Sequence, residues 1–276
     1  MRPLPTCLLS DGRPARVSRG HDPDRFVEIG SLTKVVTSTA LLRLAEAKTL
    51  DPQDPVERWL PAPAGTGVTL AHLAAHTSGL PRLPPGLSGR DPYAGFDETA
   101  LRALVGRPQT WDAGEPGRRE EYSNFGYAVL GAALVAAAGQ PYERLVREHV
   151  LDPLGIDAMT AHPPQDRRLC ATGWFGRPRK PWTMDGAILP AGGLWATPRA
   201  AARLLTRLLV DRAFGEPAPA WRRSGDVVWH NGATRDASVF AGATPDGRWA
   251  LAHRLGGPHS DTDALGARAL RLPVRG

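Results

Sequence analysis

Apolar residues recur at two spacings along this chain, and the two spacings occupy different parts of it. Towards both ends they alternate with polar residues as in strands, with hairpin turns indicated at Asp11-Gly12 and at Pro245-Asp246-Gly247. In the middle third they repeat every three to four residues, as on one face of a helix. This arrangement predicts an α+β fold, in which helices flank an antiparallel β-sheet and further helices are inserted between its strands.

Capping and turn residues place the predicted elements. A hairpin is predicted over residues 4–18, and later strands over 225–230, 237–243 and 248–254. Residues 80–96 are rich in proline and glycine and predict a surface loop, and an extended run is predicted over 169–175. The predicted helices cover 31–48, 69–76, 97–105, 124–138, 141–151, 198–210 and 261–272.

Composition narrows the class of protein. The 276 residues carry a formal net charge of +6 and a pI near 9.9. The arginines are scattered, however, and the longest basic run, Arg177-Pro178-Arg179-Lys180, has no interleaved aromatic residue. Scattered charge is typical of a solvated surface, so we expect no nucleic-acid partner. No stretch is apolar enough for a membrane span, so we expect no membrane partner either.

The N-terminal residues and the cysteines bear on the cellular compartment. Met1 to Ser10 contain no apolar run long enough for a signal peptide, which predicts a cytoplasmic protein. Cys7 and Cys170 are the only cysteines, and we expect both to be free thiols. The sequence does not indicate the oligomeric state.

The first chemical signal is the spacing of Ser31 and Lys34 at the start of a predicted helix. Residues three apart lie on one helix face, so the two side chains are within reach of each other. The chain has three lysines, whereas lysine and arginine together number 34, and only lysine can lose its proton when buried. A neutral Lys34 can take the proton of the Ser31 hydroxyl and activate it as a nucleophile. Taken alone, the pair also fits a solvated lysine on a helix.

The second signal, Tyr122-Ser123-Asn124, precedes the helix predicted over 124–138. A tyrosine beside an ammonium group has its phenolate favoured and can relay protons. Asn124 is one of only two asparagines, and its amide can hold a lysine on one side and a substrate on the other. Helix capping by Ser123 or Asn124 and core packing by Tyr122 explain the same residues without any chemistry.

The third signal is Trp229-His230-Asn231-Gly232-Ala233, at the end of a predicted strand. Gly232 allows a ligand to approach the backbone closely, and a strand edge offers N–H groups to an oxyanion. His230 there can place a hydrogen-bond donor or a positive charge near a substrate. A lone histidine on a strand is more often structural, so this signal depends on the other two.

In this order the three signals resemble the three motifs of the serine β-lactamase and penicillin-binding-protein superfamily, in its class C branch. Residues 73–81, 122–131 and 190–197 are also similar to segments of that branch, so the resemblance covers roughly residues 25–255. It implies an α/β lobe with a β-lactamase/transpeptidase-like antiparallel sheet, made of residues 1–58 and 168–276. An all-α lobe of residues 59–167 would be inserted, with the active site in the cleft between the lobes.

The resemblance also implies a role for each motif residue. Ser31 would form an acyl-enzyme, while Lys34 and Tyr122 exchange its proton as base and acid. The backbone N–H groups of Ser31 and Ala233 would form the oxyanion hole. No metal or cofactor is implied. The substrate-binding positions would be Asn124, His230, Asn231, Gly232 and Ala233.

Departures from the family pattern bear on the substrate. His230 stands where class C β-lactamases have lysine, and a histidine at this position resembles the peptidase and esterase members. A histidine is mostly neutral near pH 7.5 and therefore holds an anion weakly. The 211–224 segment is shorter than usual, so part of the usual wall of the site is expected to be missing. We therefore expect a serine acyl hydrolase, esterase- or amidase-like, for a small ester, amide or thioester. A biosynthetic acyltransferase or thioesterase using the same acyl-enzyme, and a catalytically silent binding protein of this fold, are the alternatives.

Overall fold

A six-stranded antiparallel sheet, built from both ends of the chain, organises the fold. The computed structural model describes residues 4–112, 114–173 and 176–271. The strand order is β2-β1-β9-β8-β7-β6. These strands are β1 (Thr6–Ser10), β2 (Arg16–Ser18), β6 (Arg222–Ser224), β7 (Val227–Ala233), β8 (Ala237–Ala243) and β9 (Trp249–Leu255). The predicted α+β fold with an antiparallel sheet is confirmed.

The sheet is covered on both faces, and the side chains of β8 show how. Val239 and Ala241 pack into the main core, whereas Phe240 between them packs on the opposite face against the C-terminal helix. Gly266 of that helix lies so close to the Phe240 ring that a Cβ would be 2.0 Å from it. Side chains alternate along a strand, so one short strand supports two layers of helix.

The helices follow the predicted pattern closely. Asp97 caps the helix that ends at Val105, and Ser123 caps the helix from Asn124 to Ala138, which stops at left-handed Gly139. The α-helices are α1 (Thr33–Glu46), α2 (Leu70–Ala74), α3 (Glu98–Val105), α4 (Asn124–Ala138), α5 (Tyr142–Val146), α6 (Leu189–Gly192), α7 (Pro198–Leu205) and α8 (His259–Ala269). Helices α5 and α7 each continue into a π-helical turn, Arg147–Leu151 and Thr206–Val210.

Several boundaries differ from the prediction. Ser31 lies in a 3-10 turn, Gly30–Leu32, and α1 begins after it at Thr33. Helix α8 begins at His259, directly after its N-cap residue Pro258, rather than at Asp261. The predicted end of that helix at Leu272, and Trp174 and Phe175 of the predicted extended run, lie outside the described residues.

A second, three-stranded sheet was not predicted. It has the order β3-β5-β4, with β3 (Val27–Glu28), β4 (Met159–Thr160) and β5 (Trp195–Ala196). Each strand has two residues, which is too short for an alternating pattern to show in the sequence. This sheet ties residue 28, just before the Ser31 turn, to the segment after α6.

Helices α2 to α5 lie within the predicted inserted lobe of residues 59–167. One hydrophobic cluster nevertheless runs from the large sheet through α1 into these helices. The division into two lobes therefore stays a prediction. None of the helices in the described ranges is long and apolar enough to cross a membrane. Cys7 and Cys170 are both free, as expected.

Candidate active site

The Gly30–Leu32 turn presents Ser31 against the edge of β7. A Cβ on Gly30, where φ is +47°, would lie 2.9 Å from the Ala233 backbone nitrogen, and one on Gly232 would lie 2.9 Å from the Ser31 nitrogen. Strand β6 pairs only with residues 227–229 of β7, so the tip of β7 is free to lie against the turn. Two glycines thus allow the backbone amides of Ser31 and Ala233 to come close together.

Lys34 lies in the first turn of α1 and is fully buried. Its Nζ donates to Asn124 Oδ1 at 2.7 Å and to the Ala191 carbonyl at 2.6 Å, and it lies 3.2 Å from Ser31 Oγ. The neighbouring carbonyl, Pro190 O, accepts from Thr37 Oγ1 at 2.7 Å. Helix α6 is therefore held against α1 by two hydrogen bonds, one of which fixes the catalytic candidate.

Tyr122 completes the group around the serine. Its hydroxyl lies 2.6 Å from Ser31 Oγ, and its ring centroid lies 4.8 Å from Lys34 Nζ. Ser123 donates to the Pro81 carbonyl and accepts from the Gly126 amide, which fixes the start of α4. The structure thus brings Ser31, Lys34, Tyr122 and Asn124 together, as the spacing and the motifs predict.

Burial and mutual charge shift the pKa values of Lys34 and Tyr122. Desolvation lowers the pKa of Lys34 below its ordinary value of 10.5, and nearby arginines lower it further, although Tyr122 opposes them. Desolvation would raise the pKa of Tyr122, but the Lys34 ammonium and the hydrogen bonds to Lys34 and Ser31 more than offset it, so that it is lowered. The two groups titrate as a pair, so either can hold the proton that they share.

His76, which the sequence analysis did not assign to the site, holds Tyr122 from both sides. The Glu121 amide donates to the His76 carbonyl at 2.7 Å, and the Ser123 amide donates to its Nδ1 at 3.1 Å. The imidazole packs against the Tyr122 ring at 4.6 Å between centroids. Burial lowers the pKa of His76 to about 3, so the ring is neutral and can accept. Its backbone φ of 60° is unusual for a non-glycine residue and indicates a strained turn.

The third motif behaves differently from the prediction. Strand β7 continues through Ala233 rather than stopping near His230. His230 is buried, and desolvation together with the charge of Lys34 lowers its pKa to about 3, so it carries no positive charge near neutral pH. The side chain of Asn231 is not brought to the site, because alternate residues of a strand face opposite ways and its amide donates to Asp263 of α8 at 2.9 Å. This corrects the expectation that Asn231 contacts substrate.

Size alone does not identify the site. A cavity of about 440 Å³ lies between α3, α4 and residues 185–190, and neither Ser31, Lys34 nor Tyr122 lines it. The candidate catalytic residues instead lie at a partly exposed surface, with Ser31 and Tyr122 half-buried and Lys34 fully buried.

An antiparallel sheet covered by helices, with a serine, a buried lysine and a tyrosine at the end of one strand, defines the β-lactamase/transpeptidase class of serine hydrolase fold. The chain belongs to the Beta-lactamase family, whose sequence model matches residues 9–257. The resemblance stated from the motifs is thereby confirmed.

Known proteins similar to this chain have several activities. The D-alanyl-D-alanine-carboxypeptidase/endopeptidase AmpH of Escherichia coli K12 is 33% identical over 201 residues, which are 67% of this chain and 49% of AmpH. Esterase EstB of Burkholderia gladioli is 31% identical over 199 residues, 65% of this chain and 48% of EstB. The chain thus spans about half the length of these curated relatives.

Solved structures share the fold over nearly the whole chain. A β-lactamase/D-alanine carboxypeptidase from Yersinia pestis matches with a TM-score of 0.77 at 20% identity, covering 97% of this chain and 92% of that chain. The D-amino acid amidase of Ochrobactrum anthropi matches with a TM-score of 0.76 at 19% identity, with the same coverage. At these identities the likeness concerns the fold.

Proposed function

We propose that this chain is a serine acyl hydrolase that forms an acyl-enzyme on Ser31 with a small ester, amide or thioester. The observation that carries the proposal is the convergence of Lys34 Nζ and the Tyr122 hydroxyl on Ser31 Oγ, at 3.2 and 2.6 Å. A serine whose oxygen lies beside an amine that can take its proton and a phenol hydroxyl that can relay one has the geometry of an activated nucleophile.

The surroundings of Lys34 suit a neutral amine. A neutral amine has two N–H bonds and one lone pair, whereas an ammonium has three N–H bonds. Two strong acceptors, Asn124 Oδ1 and Ala191 O, take the two N–H bonds, which leaves the lone pair for the Ser31 hydroxyl. Full burial favours this neutral form. Lys34 is thus poised to take the serine proton.

The proposed reaction uses these groups in turn. Ser31 Oγ attacks the carbonyl carbon while its proton passes to Lys34, and the negative charge on the carbonyl oxygen is held by the Ser31 and Ala233 amides. Tyr122 donates its proton to the leaving oxygen, nitrogen or sulfur and is reprotonated from Lys34. Water then attacks the acyl carbon and gives a proton to the same pair, which returns a proton to Ser31 Oγ as its bond to the acyl group breaks and the acid leaves.

The relatives support a range of substrates rather than one. A carboxypeptidase and an esterase are both among them, and each cleaves an acyl bond. Neutral His230 gives no fixed charge on β7 to select one class. The proposed activity is therefore defined by the acyl bond that is cleaved, and the surface around Tyr122 would select the rest of the substrate.

Intact-mass spectrometry after exposure to a fluorophosphonate tests the proposal. One adduct is expected in the wild type and none in Ser31→Ala. Ser260→Ala, which removes an exposed serine on α8, serves as the matched control and should label fully. Hydrolysis of p-nitrophenyl esters should follow the same pattern. Equal labelling and equal hydrolysis by Ser31→Ala would refute the assignment.

A further inference from the structure

We infer that Arg82 and Arg222 together form a subsite for a carboxylate group of the substrate, beside Tyr122. The inference rests on the proposed function and narrows its substrate to anionic acyl compounds. The Arg82 guanidinium carbon lies 5.2 Å from the centroid of the Tyr122 ring, and that of Arg222 lies 5.6 Å from it. Both cations therefore lie at the ring whose hydroxyl touches Ser31 Oγ.

The backbone of Arg82 is fixed to the catalytic motif. Its carbonyl accepts from the backbone N–H of Asn124 at 2.9 Å, and the preceding carbonyl, that of Pro81, accepts from the Ser123 hydroxyl at 2.7 Å. The side chain is exposed. It thus starts from a rigid point and can reach a ligand without leaving solvent.

Arg222 comes from the opposite side of the site. It lies on β6, opposite Trp229 of β7, and its guanidinium carbon lies 5.8 Å from the Trp229 ring. Its neighbour Arg223 faces the other way, with its guanidinium nitrogen 3.8 Å from a carboxylate oxygen of Glu216. The sheet therefore directs Arg222 towards the site and Arg223 away from it.

In the part of the chain that the structure describes, neither arginine of the subsite is paired with a carboxylate. The ion pairs found among residues 4–112, 114–173 and 176–271 include many other arginines, but not Arg82 or Arg222. Glu120 and Glu121, the acidic residues nearest to Tyr122 in sequence, are exposed and pair with neither. Guanidinium groups match carboxylates geometrically and stay charged at any working pH.

This pair changes the conclusion drawn from the third motif. Neutral, buried His230 does not offer a charge on β7. The positive charge is instead supplied from the Pro81–Arg82 loop and from β6, one strand further out. A substrate carboxylate placed there lies next to Tyr122 while its acyl group lies at Ser31.

Matched substrates test the subsite. Mono-p-nitrophenyl glutarate and p-nitrophenyl valerate share a leaving group but differ in one carboxylate on the acyl chain; 3-acetoxybenzoate and phenyl acetate differ in one on the leaving group. Wild type should prefer the anionic member of at least one pair. Arg82→Gln and Arg222→Gln should each reduce that preference by up to about fivefold, and the double variant by more, since a solvated charge contact has about this value. Arg223→Gln, from the same strand, should not change it.

Two further measurements make the result decisive. At roughly 1 M salt, where the Debye length is about 3 Å, the preference should shrink in the wild type. In Ser31→Ala, the dissociation constant of glutarate, measured by NMR titration, should rise at least about fivefold when both arginines become glutamine. This measurement involves no turnover, so it decides the subsite even if Ser31 is not the nucleophile.

The alternative is that the arginines only act on Tyr122 through its ring. In that case the glutamine variants lower kcat/KM equally for neutral and anionic esters, and glutarate binding is unchanged. Either result overturns the subsite, while Ser31-dependent hydrolysis would still support the proposed function. Activity that persists in Ser31→Ala would refute the proposed function instead.

Discussion

Adding one methyl group at residue 232 tests the proposed oxyanion hole. Gly232 lies on β7 where the strand touches the Ser31 turn. A Cβ there would lie 2.1 Å from the Ile29 carbonyl oxygen, 2.9 Å from the Ser31 nitrogen and 3.0 Å from the Leu32 nitrogen. All three are backbone atoms, so no side chain can rotate away. Gly232→Ala must therefore move the strand and the turn apart.

The required movement sets the expected loss. Close-packed interiors leave no slack, so the contact with Ile29 must open by roughly 1 Å. An oxyanion donor works at about 2.7–3.1 Å, and losing one such donor typically lowers kcat by about 10²–10³. Overpacking typically costs about 1–3 kcal/mol in the free energy of unfolding. We expect kcat to fall by about 10²–10³, with a modest decrease in Tm.

Gly95→Ala is the matched control. Gly95 has nothing within 4 Å of its added Cβ and is exposed, so kcat and Tm should stay at wild-type values. The assay is steady-state hydrolysis of a p-nitrophenyl ester, with Tm by calorimetry to show that the variant is folded. A folded Gly232→Ala protein whose kcat is within about threefold of wild type would show that these amides do not stabilise the transition state.

Three other changes have defined outcomes. Lys34→Met keeps the unbranched side chain up to the Cε position but removes the base, so kcat/KM should fall at least about 10²-fold; near-normal rates would leave Tyr122 as the base. His76→Ala should lower kcat more than it changes KM. His76→Asn should restore part of the lost kcat, because asparagine tolerates a positive φ and keeps a hydrogen-bond acceptor. Equal kcat values for the two variants would contradict the positioning role. Tm should fall as the pH drops from 6.5 towards 5, because burial lowers the pKa of His21, His76, His230 and His253 to about 3 or 4, so that the unfolded chain binds more protons than the folded one. Each of these histidines lowers the free energy of unfolding by up to about 1.4 kcal/mol per pH unit. Glu28, whose pKa is raised to about 7 by burial, has the opposite effect and offsets one histidine; a flat Tm would contradict the prediction.

Local signals explain the parts of the fold and site that were predicted. Capping residues such as Asp97 and Ser123 act within one turn of the helix that they begin, so the sequence contains the whole interaction. The Ser31 and Lys34 pair is likewise confined to one helical turn. Tyr122 and Asn124 required the family resemblance to be connected with that pair, since about ninety residues separate them.

Long-range packing explains what was missed. The direction of Asn231 depends on the register of β7 against β8 and on Asp263 of α8, neither of which a single strand reveals. His76 contacts Tyr122 only because a strained turn brings it back against α4. Gly232 was expected to let a ligand approach the backbone, whereas the structure shows that the turn carrying Ser31 fills that space.

The abundance of arginine in this chain explains why the candidate base could be found from the sequence and the proposed anion subsite could not. With only three lysines, one placed three residues after a serine is conspicuous. Arginine supplies nearly all the positive charge, and most of the arginines that form ion pairs lie at the surface, as Arg223 does with Glu216. Arg82 and Arg222 look the same as the other arginines in the sequence and differ only in what surrounds them: the Tyr122 ring and, among the described residues, no carboxylate paired with either. An unneutralised guanidinium is thus informative only once the fold shows what it faces, and here both face the group that would act on a substrate.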